Sequence, residues 1–533
     1  MGRITRHRMK AAIAAGLLAA VVGGCSSASP HAAVHRGGTL RLALPGTPAS
    51  IDPLQVQDAS GTAVDELIYD GLVRVSPGLR PVPDLARSWH VSPDGRTYTF
   101  HLDPRAHWPD GQRVSPKDVA FSFAAYRNPA DKSPASAWLA DVRSVVSVGK
   151  EAVRVTLQRP YAPFLMQAAA LPILPSHLLS QYRPGQQLLS AAALGSSAVG
   201  SGPFKLQSQS GGQFVLTANR RYFGGAPHVS RVVLTAAASP NAALMLLRQG
   251  KLDFAETPPV DAHAVSTWPG VKIARVDQLA FAGIVWNVRL QPFSDVALRR
   301  ALYFAVNRKQ IVDGPFDGYA HIANGPLPPA SWAYDSQLSA RDYLPKTALS
   351  LLAAAGYTPH GGVLRDARGA ALKLQILAPQ GAPDRTAALG LVVRDLSAIG
   401  VDVTVRYEPF TQYVQDYVAG NFQAAFAVRG LSADPDFAAY FGSEAVSTAG
   451  FNPGAYQDSA VDRDLVLERS AVQQGERATA LRDAQAAMQV DPPELFLYFP
   501  QSAYAIARRF TGFTPDPAVL FYAPQHWALR SSH

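Results

Sequence analysis

Residues 389–405 pass from a helix pattern into a strand pattern with no linker between them. No other feature constrains the fold as strongly. Leu389, Val392, Val393 and Leu396 recur at i, i+3, i+4 and i+7, Gly400 stops the run, and Val401, Val403 and Val405 then alternate with polar residues. A period of 3.6 giving way to a period of two predicts an amphipathic helix feeding a half-buried strand. A chain that repeats this junction must lay helices against a sheet, which predicts an α/β fold.

The pattern does repeat. Ser294-Asp295 caps a run holding Leu298, Ala301, Leu302 and Ala305, and Ala348, Leu351, Leu352 and Ala355 end at Gly356. Tyr98, Phe100 and Leu102 alternate behind the turn Asp94-Gly95. Ser115-Pro116-Lys117-Asp118 then opens a helix carrying Val119, Phe123 and Tyr126, with Ser as its cap and Pro at its first position. A strand at Arg231–Thr235 leads through Ser239-Pro240 into a helix that Gly250 ends. A helix near 476–489 precedes the apolar stretch Leu495–Phe499. No repeat of fixed period is present.

The N-terminus reads as an address. Arg3, Arg6, Arg8 and Lys10 precede an apolar run of 12 residues, Ala11 to Val22, followed by Gly23, Gly24 and Cys25. Such a run is too short to span a bilayer and fits the apolar core of a signal peptide. Small residues before the only cysteine predict cleavage and lipidation there, so residues 1–24 are read as a lipoprotein signal peptide, Cys25 as the lipid anchor and 25–36 as a tether. The mature chain is then exported and held on the outer face of the bacterial cytoplasmic membrane, in the periplasm or cell envelope.

Charge and composition narrow the function. The 49 Lys and Arg face 40 Asp and Glu, and four of the bases lie in the leader, leaving a mild +5 for the body. That is no footprint of a nucleic-acid binder. One cysteine excludes a disulfide scaffold and a thiolate metal cluster. No HExxH, Walker A, GxSxG or strand-bound GxGxxG pattern occurs. Asp434 and Asp436 flank Pro435, as a turn or as a carboxylate pair for acid–base work. Asp70, Asp84, Asp110 and Asp118 read as turn and cap residues. No catalytic residue, cofactor or metal site is expected, and the chain is not read as an enzyme.

Taken in order, several segments resemble one family. Gly37-Gly38-Thr39-Leu40 with Ile51-Asp52-Pro53, Tyr69-Asp70-Gly71-Leu72-Val73, and Pro83–Trp89 running through Ser92-Pro93-Asp94-Gly95 to Trp108, Asp110-Gly111 and Asp118-Val119 come first. Gly202-Pro203-Phe204-Lys205-Leu206, Gln249–Asp253, Asn287 with Pro292–Asp295 and Arg299–Leu302, and Ala353–Tyr357 follow. Together they resemble the family 5 extracellular solute-binding proteins of peptide and nickel ABC importers, over nearly the whole mature chain.

The resemblance implies a two-lobed, periplasmic-binding-protein-like clamshell of type II with an extra subdomain on the first lobe. The expected division is 37–283 with 500–533 as lobe I and 284–499 as lobe II. It implies a monomer that encloses a short peptide and delivers it to the transmembrane subunits of an ABC permease with their cytoplasmic ATPases. In peptide-binding members an acid of the second lobe meets the peptide amine. The matching segment here is Arg429-Gly430-Leu431-Ser432-Ala433-Asp434, with Leu431 where a Trp is often found. A zwitterion removed from water needs a fixed acid and a fixed base, and Arg suits a carboxylate. The expected ligand-binding residues are therefore Asp434, Arg429 and Asp436, with Trp286, Asn287, Phe426 and Phe281 (and Tyr440 and Phe441) as walls. Haem, chelated nickel or an oligosaccharide on the same fold is the alternative ligand. A secreted hydrolase using Asp434 and Asp436 and a surface adhesin are the competitors from other classes.

Overall fold

A computed structural model describes residues 36–179, 181, 188, 194–338, 341–446 and 451–530. The leader, Cys25 and the tether up to residue 35 lie outside them. Among the described residues a 12-stranded mixed sheet is the backbone of the fold. From one edge it runs Asp402–Glu408, Lys373–Pro379, Ala424–Gly430, Ala280–Trp286 and Glu494–Ala507. It continues through Phe254–Thr257, Thr39–Leu44, Arg231–Ala236, Gln213–Ala218 and Phe204–Ser210, and the remaining two strands, Val271–Asp277 and Ala320–Ile322, pair with Glu494–Ala507 off this row.

The expected helix-to-strand junction is there: the helix Pro383–Ala398 is followed by Asp402–Glu408, which pairs in parallel with Lys373–Pro379. The Ser115 cap also forms. Its N–H donates to Asp118 Oδ2 at 2.8 Å, ahead of the helix Pro116–Tyr126. The carboxylate thereby satisfies one of the donors a helix N-terminus leaves free.

Strand Glu494–Ala507 changes partners along its length. Residues 494–498 pair with Ala280–Trp286, and residues 501–507 pair with Val271–Asp277. The strand Val271–Asp277 precedes Ala280–Trp286 in the chain by two residues, so both strands pass the same point of the sheet.

The apolar cores lie on separate stretches of chain. One, between residues 281 and 499, gathers Phe281, Trp286, Leu389, Phe426 and Phe496. A second, between 54 and 194, covers the separate antiparallel sheet Ala86–Val91, Thr97–Leu102, Ala152–Leu157, Val142–Val148 with Trp108, Phe123 and Phe164. A third joins Leu40–Leu44 to Phe254, Phe510, Phe521 and Trp527. Between them sits a small cluster, Val75, Leu79, Met166 and Leu279, with Trp332, Leu431 and Ala433 against it. Among the described residues no helix is long and apolar enough to cross a membrane.

Candidate functional site

Three cavities open around that small cluster, and residues 431–434 touch all of them. The segment leaves the strand Ala424–Gly430, and the Leu431 N–H donates to the Leu279 carbonyl at 2.7 Å. Leu431 faces a cavity of about 480 Å³ that also holds Glu66, Glu256, Asp277 and Asp516. Ser432 and Ala433 face one of about 640 Å³ lined by Asp65, Glu66, Tyr69, Trp138, Met166 and Phe521 among others. Asp434 faces one of about 340 Å³ with Tyr98, Tyr161, Trp332 and Arg477. Each volume falls in the range of ~300–1,000 Å³ usual for ligand pockets. Below they are named the Glu256, Asp65 and Asp434 cavities.

Asp434 is fully enclosed and already has a cation. Arg477 Nη1 and Nη2 donate to its two oxygens at 3.0 and 2.7 Å, a bidentate fork. The same guanidinium bonds Glu468 through Nε at 3.0 Å and lies 5.3 Å from the Trp332 ring centre. Burial pushes the Asp434 carboxyl up and Arg477 pulls it back; burial likewise lifts Glu468 to about 8 against the same Arg477. One guanidinium therefore serves two buried carboxyls. Asp436 pairs instead with Arg469, whose Nε donates at 2.9 Å. Asp434 and Asp436 thus each sit in an ion pair rather than forming a catalytic dyad.

The remaining expected residues do not reach the cavities. Phe281 and Trp286 lie on the central strand Ala280–Trp286, every residue of which is buried, and Phe426 lies on its neighbour. Trp286 stacks on Phe293 with centroids 5.2 Å apart. Arg429 is paired with Glu494 and packs over Phe281, Tyr440 and Phe441. Asn287 donates to the Gly420 and Phe422 carbonyls at 3.1 and 2.9 Å, tying off a turn. Phe281, Trp286 and Phe426 stand in the core and away from these three cavities for one physical reason: central strands covered on both faces turn their side chains into core. The unbroken apolar run Ala280–Trp286 is the signal that could have said so.

Asp70 and Asp84 do more than shape the backbone. Arg74 Nη2 reaches Asp84 at 2.7 Å, Asp70 at 3.4 Å and the Tyr222 hydroxyl at 2.7 Å, and the Ser201 and Tyr222 hydroxyls both donate to Asp70 at 2.9 Å. Asp70, Arg74 and Asp84 of this network line the Asp65 cavity. Asp110 and Asp118 do act in a turn and a cap.

Sequence reasoning missed Glu468 and Arg477. A signal existed. Glu468 lies at i+7 from Val461 and i+3 from Leu465, on the buried face of the helix Ser459–Ser470. Arg477 shares the buried face of Gln474–Val490 with Ala480, Leu481 and Ala484. A charge on an apolar helix face asks for a buried partner.

Comparison with known proteins agrees with this architecture. The Bacillus subtilis oligopeptide-binding protein AppA is 26% identical over 502 residues, covering 93% of this chain and 92% of AppA. Its structure in complex with a nonapeptide superposes with a TM-score of 0.76 at 25% identity, over 93% of this chain and all of that one. The di/tripeptide-binding protein 2 of Pseudomonas aeruginosa is 28% identical, over 90% of this chain and 93% of its own. NikZ of Campylobacter jejuni, solved with Ni(L-His), gives a TM-score of 0.77 at 28% identity, over 92% and 99%. The profile of the bacterial extracellular solute-binding proteins, family 5 Middle, matches residues 80–452. With most of its length matched in this way, and with the α/β sheet those structures share, the chain belongs to the family 5 bacterial extracellular solute-binding proteins.

Proposed function

We propose that this chain is the substrate-binding lipoprotein of an ABC importer, that it captures short peptides, and that it hands them to the membrane permease without chemically changing them. The observation that carries the reading is the convergence of three cavities on residues 431–434, between apolar cores built from different parts of the chain. The relatives named for oligopeptides and di- or tripeptides support the ligand class. The lobes are taken as 37–283 with 500–533, and 284–499. The hinge lies where Glu494–Ala507 exchanges partners and where Val271–Asp277 gives way to Ala280–Trp286. A ligand touching both lobes closes them by a population shift, since its contacts exist only in the closed state. An affinity near micromolar, about 8 kcal/mol, allows both capture and release. Cys25 supplies the lipid that keeps a monomer beside its permease.

Native mass spectrometry of the purified chain mixed with di- to pentapeptides tests the ligand class. Retained peptide masses are expected. Retention of haem or nickel–histidine with no peptide would replace this reading with the non-peptide one.

A further inference from the structure

The two cavities that share Glu66 are acidic and hold no uncommitted base. Among the described residues, the Glu256 cavity is lined by Glu66, Glu256, Asp277 and Asp516 with no Lys or Arg. The Asp65 cavity holds Asp65, Glu66, Asp70 and Asp84, and its one base, Arg74, is taken up by Asp84, Asp70 and Tyr222. Asp65 is 6% exposed, and its Oδ1 has no hydrogen-bond partner. Glu66, next to it on the helix Ala59–Ile68, is half-buried; it accepts the Phe521 N–H at 3.0 Å, feels the Leu520 N–H as well, and among the described residues forms no ion pair. A buried carboxylate without a cation costs several kcal/mol, so Asp65, with the unpaired Glu66 beside it in the cavity wall, asks for a cationic partner from outside.

We propose that Asp65 and Glu66 form a cation subsite that receives the ammonium or guanidinium of a basic side chain, so that the chain prefers peptides carrying Lys or Arg. The aliphatic stem of such a side chain suits the same cavity, because Val56, Val73, Met166 and Leu171 also line it. Burial supports the assignment. It pushes Asp65 well above the carboxylate range and Glu66 up to about 8, and Asp52, Asp58 and Asp516 push the same way. At neutral pH Glu66 is therefore held largely protonated, and an arriving cation restores its ionised form. That the cation belongs to a peptide rests on the proposed function above.

The test is calorimetric titration of the wild-type chain with Ala-Lys-Ala, Ala-Ala-Ala and Ala-Glu-Ala, and with spermidine as a cation that is no peptide. Ala-Lys-Ala is expected to bind about 10- to 100-fold more tightly than Ala-Glu-Ala, as a hydrogen bond to a charged group is worth. Asp65→Asn with Glu66→Gln is expected to bring the Lys and Glu peptides within about threefold while Ala-Ala-Ala still binds. Peptides binding without regard to charge would overturn the subsite and leave the peptide reading standing. Spermidine binding that the double substitution abolishes, with no peptide bound, would keep the subsite and overturn the peptide reading. Neither binding would overturn both. The peptide series on the unaltered chain needs no variant to fold.

Discussion

Replacing Arg477 with Met removes one positive charge from beside two fully buried carboxyls. The methionine keeps much of the packing against Trp332, so the change is chiefly electrostatic. Asp434 and Glu468 then lose their shared cation and its fork of bonds. Stranding a charge in this way typically costs about 3–5 kcal/mol. The cost depends on pH, and its sign follows from the shifts. Glu468 is raised from 4.5 to about 8, so the folded chain binds more protons than the unfolded one between those values. Its contribution is complete below pH 4.5 and is lost as pH rises through 8. Without Arg477 both carboxyls move further up, because the group that lowers them is gone. At pH 5 Glu468 is tolerated as a neutral acid; at pH 8 folding must hold protons that solution no longer supplies. Urea unfolding at the two pH values reads this directly. We expect a loss of about 3–5 kcal/mol at pH 8 and distinctly less at pH 5, with Glu468→Gln recovering part of the loss at pH 8. Equal losses at both pH values, or a loss under about 1 kcal/mol at pH 8, would refute the shared-cation account.

Two further outcomes can be measured. Trp286→Ala should cost about 3–5 kcal/mol in urea unfolding and leave peptide affinity of the folded fraction within about twofold, because the ring is sealed against Phe293 and lines none of the three cavities; a large affinity loss at unchanged stability would return Trp286 to the ligand. Cys25→Ser should move the chain from the membrane to the soluble fraction after cell lysis and centrifugation, and continued sedimentation with membranes would remove the lipid anchor.

The local rules were readable from residue order. The stripe Leu389–Leu396, the stop at Gly400 and the alternation Val401–Val405 became a helix and a strand at nearly those positions, and Ser115 caps its helix as its spacing with Asp118 required. These features depend on neighbours within about two helical turns, and such information is carried by the sequence itself. The family was legible for a related reason: ordered short motifs survive where each turn, cap or strand start has few acceptable residues.

Partner choice across the fold was not legible. Asp434 meets Arg477 43 residues away, and Arg429 meets Glu494 65 residues away. Nothing in the segment 429–434 distinguishes an acid kept for a ligand from one consumed by an internal guanidinium. Asp65 and Glu66 carry no mark in their own segment: the Phe521 N–H that Glu66 accepts comes from 455 residues away, and residues of the stretch 518–524 line the same cavity. The amino-acid order alone set the elements, their caps and the family. Tertiary packing decided which charges are spent and which are left open, because desolvation and Coulomb pairing depend on distances that only the folded chain brings about.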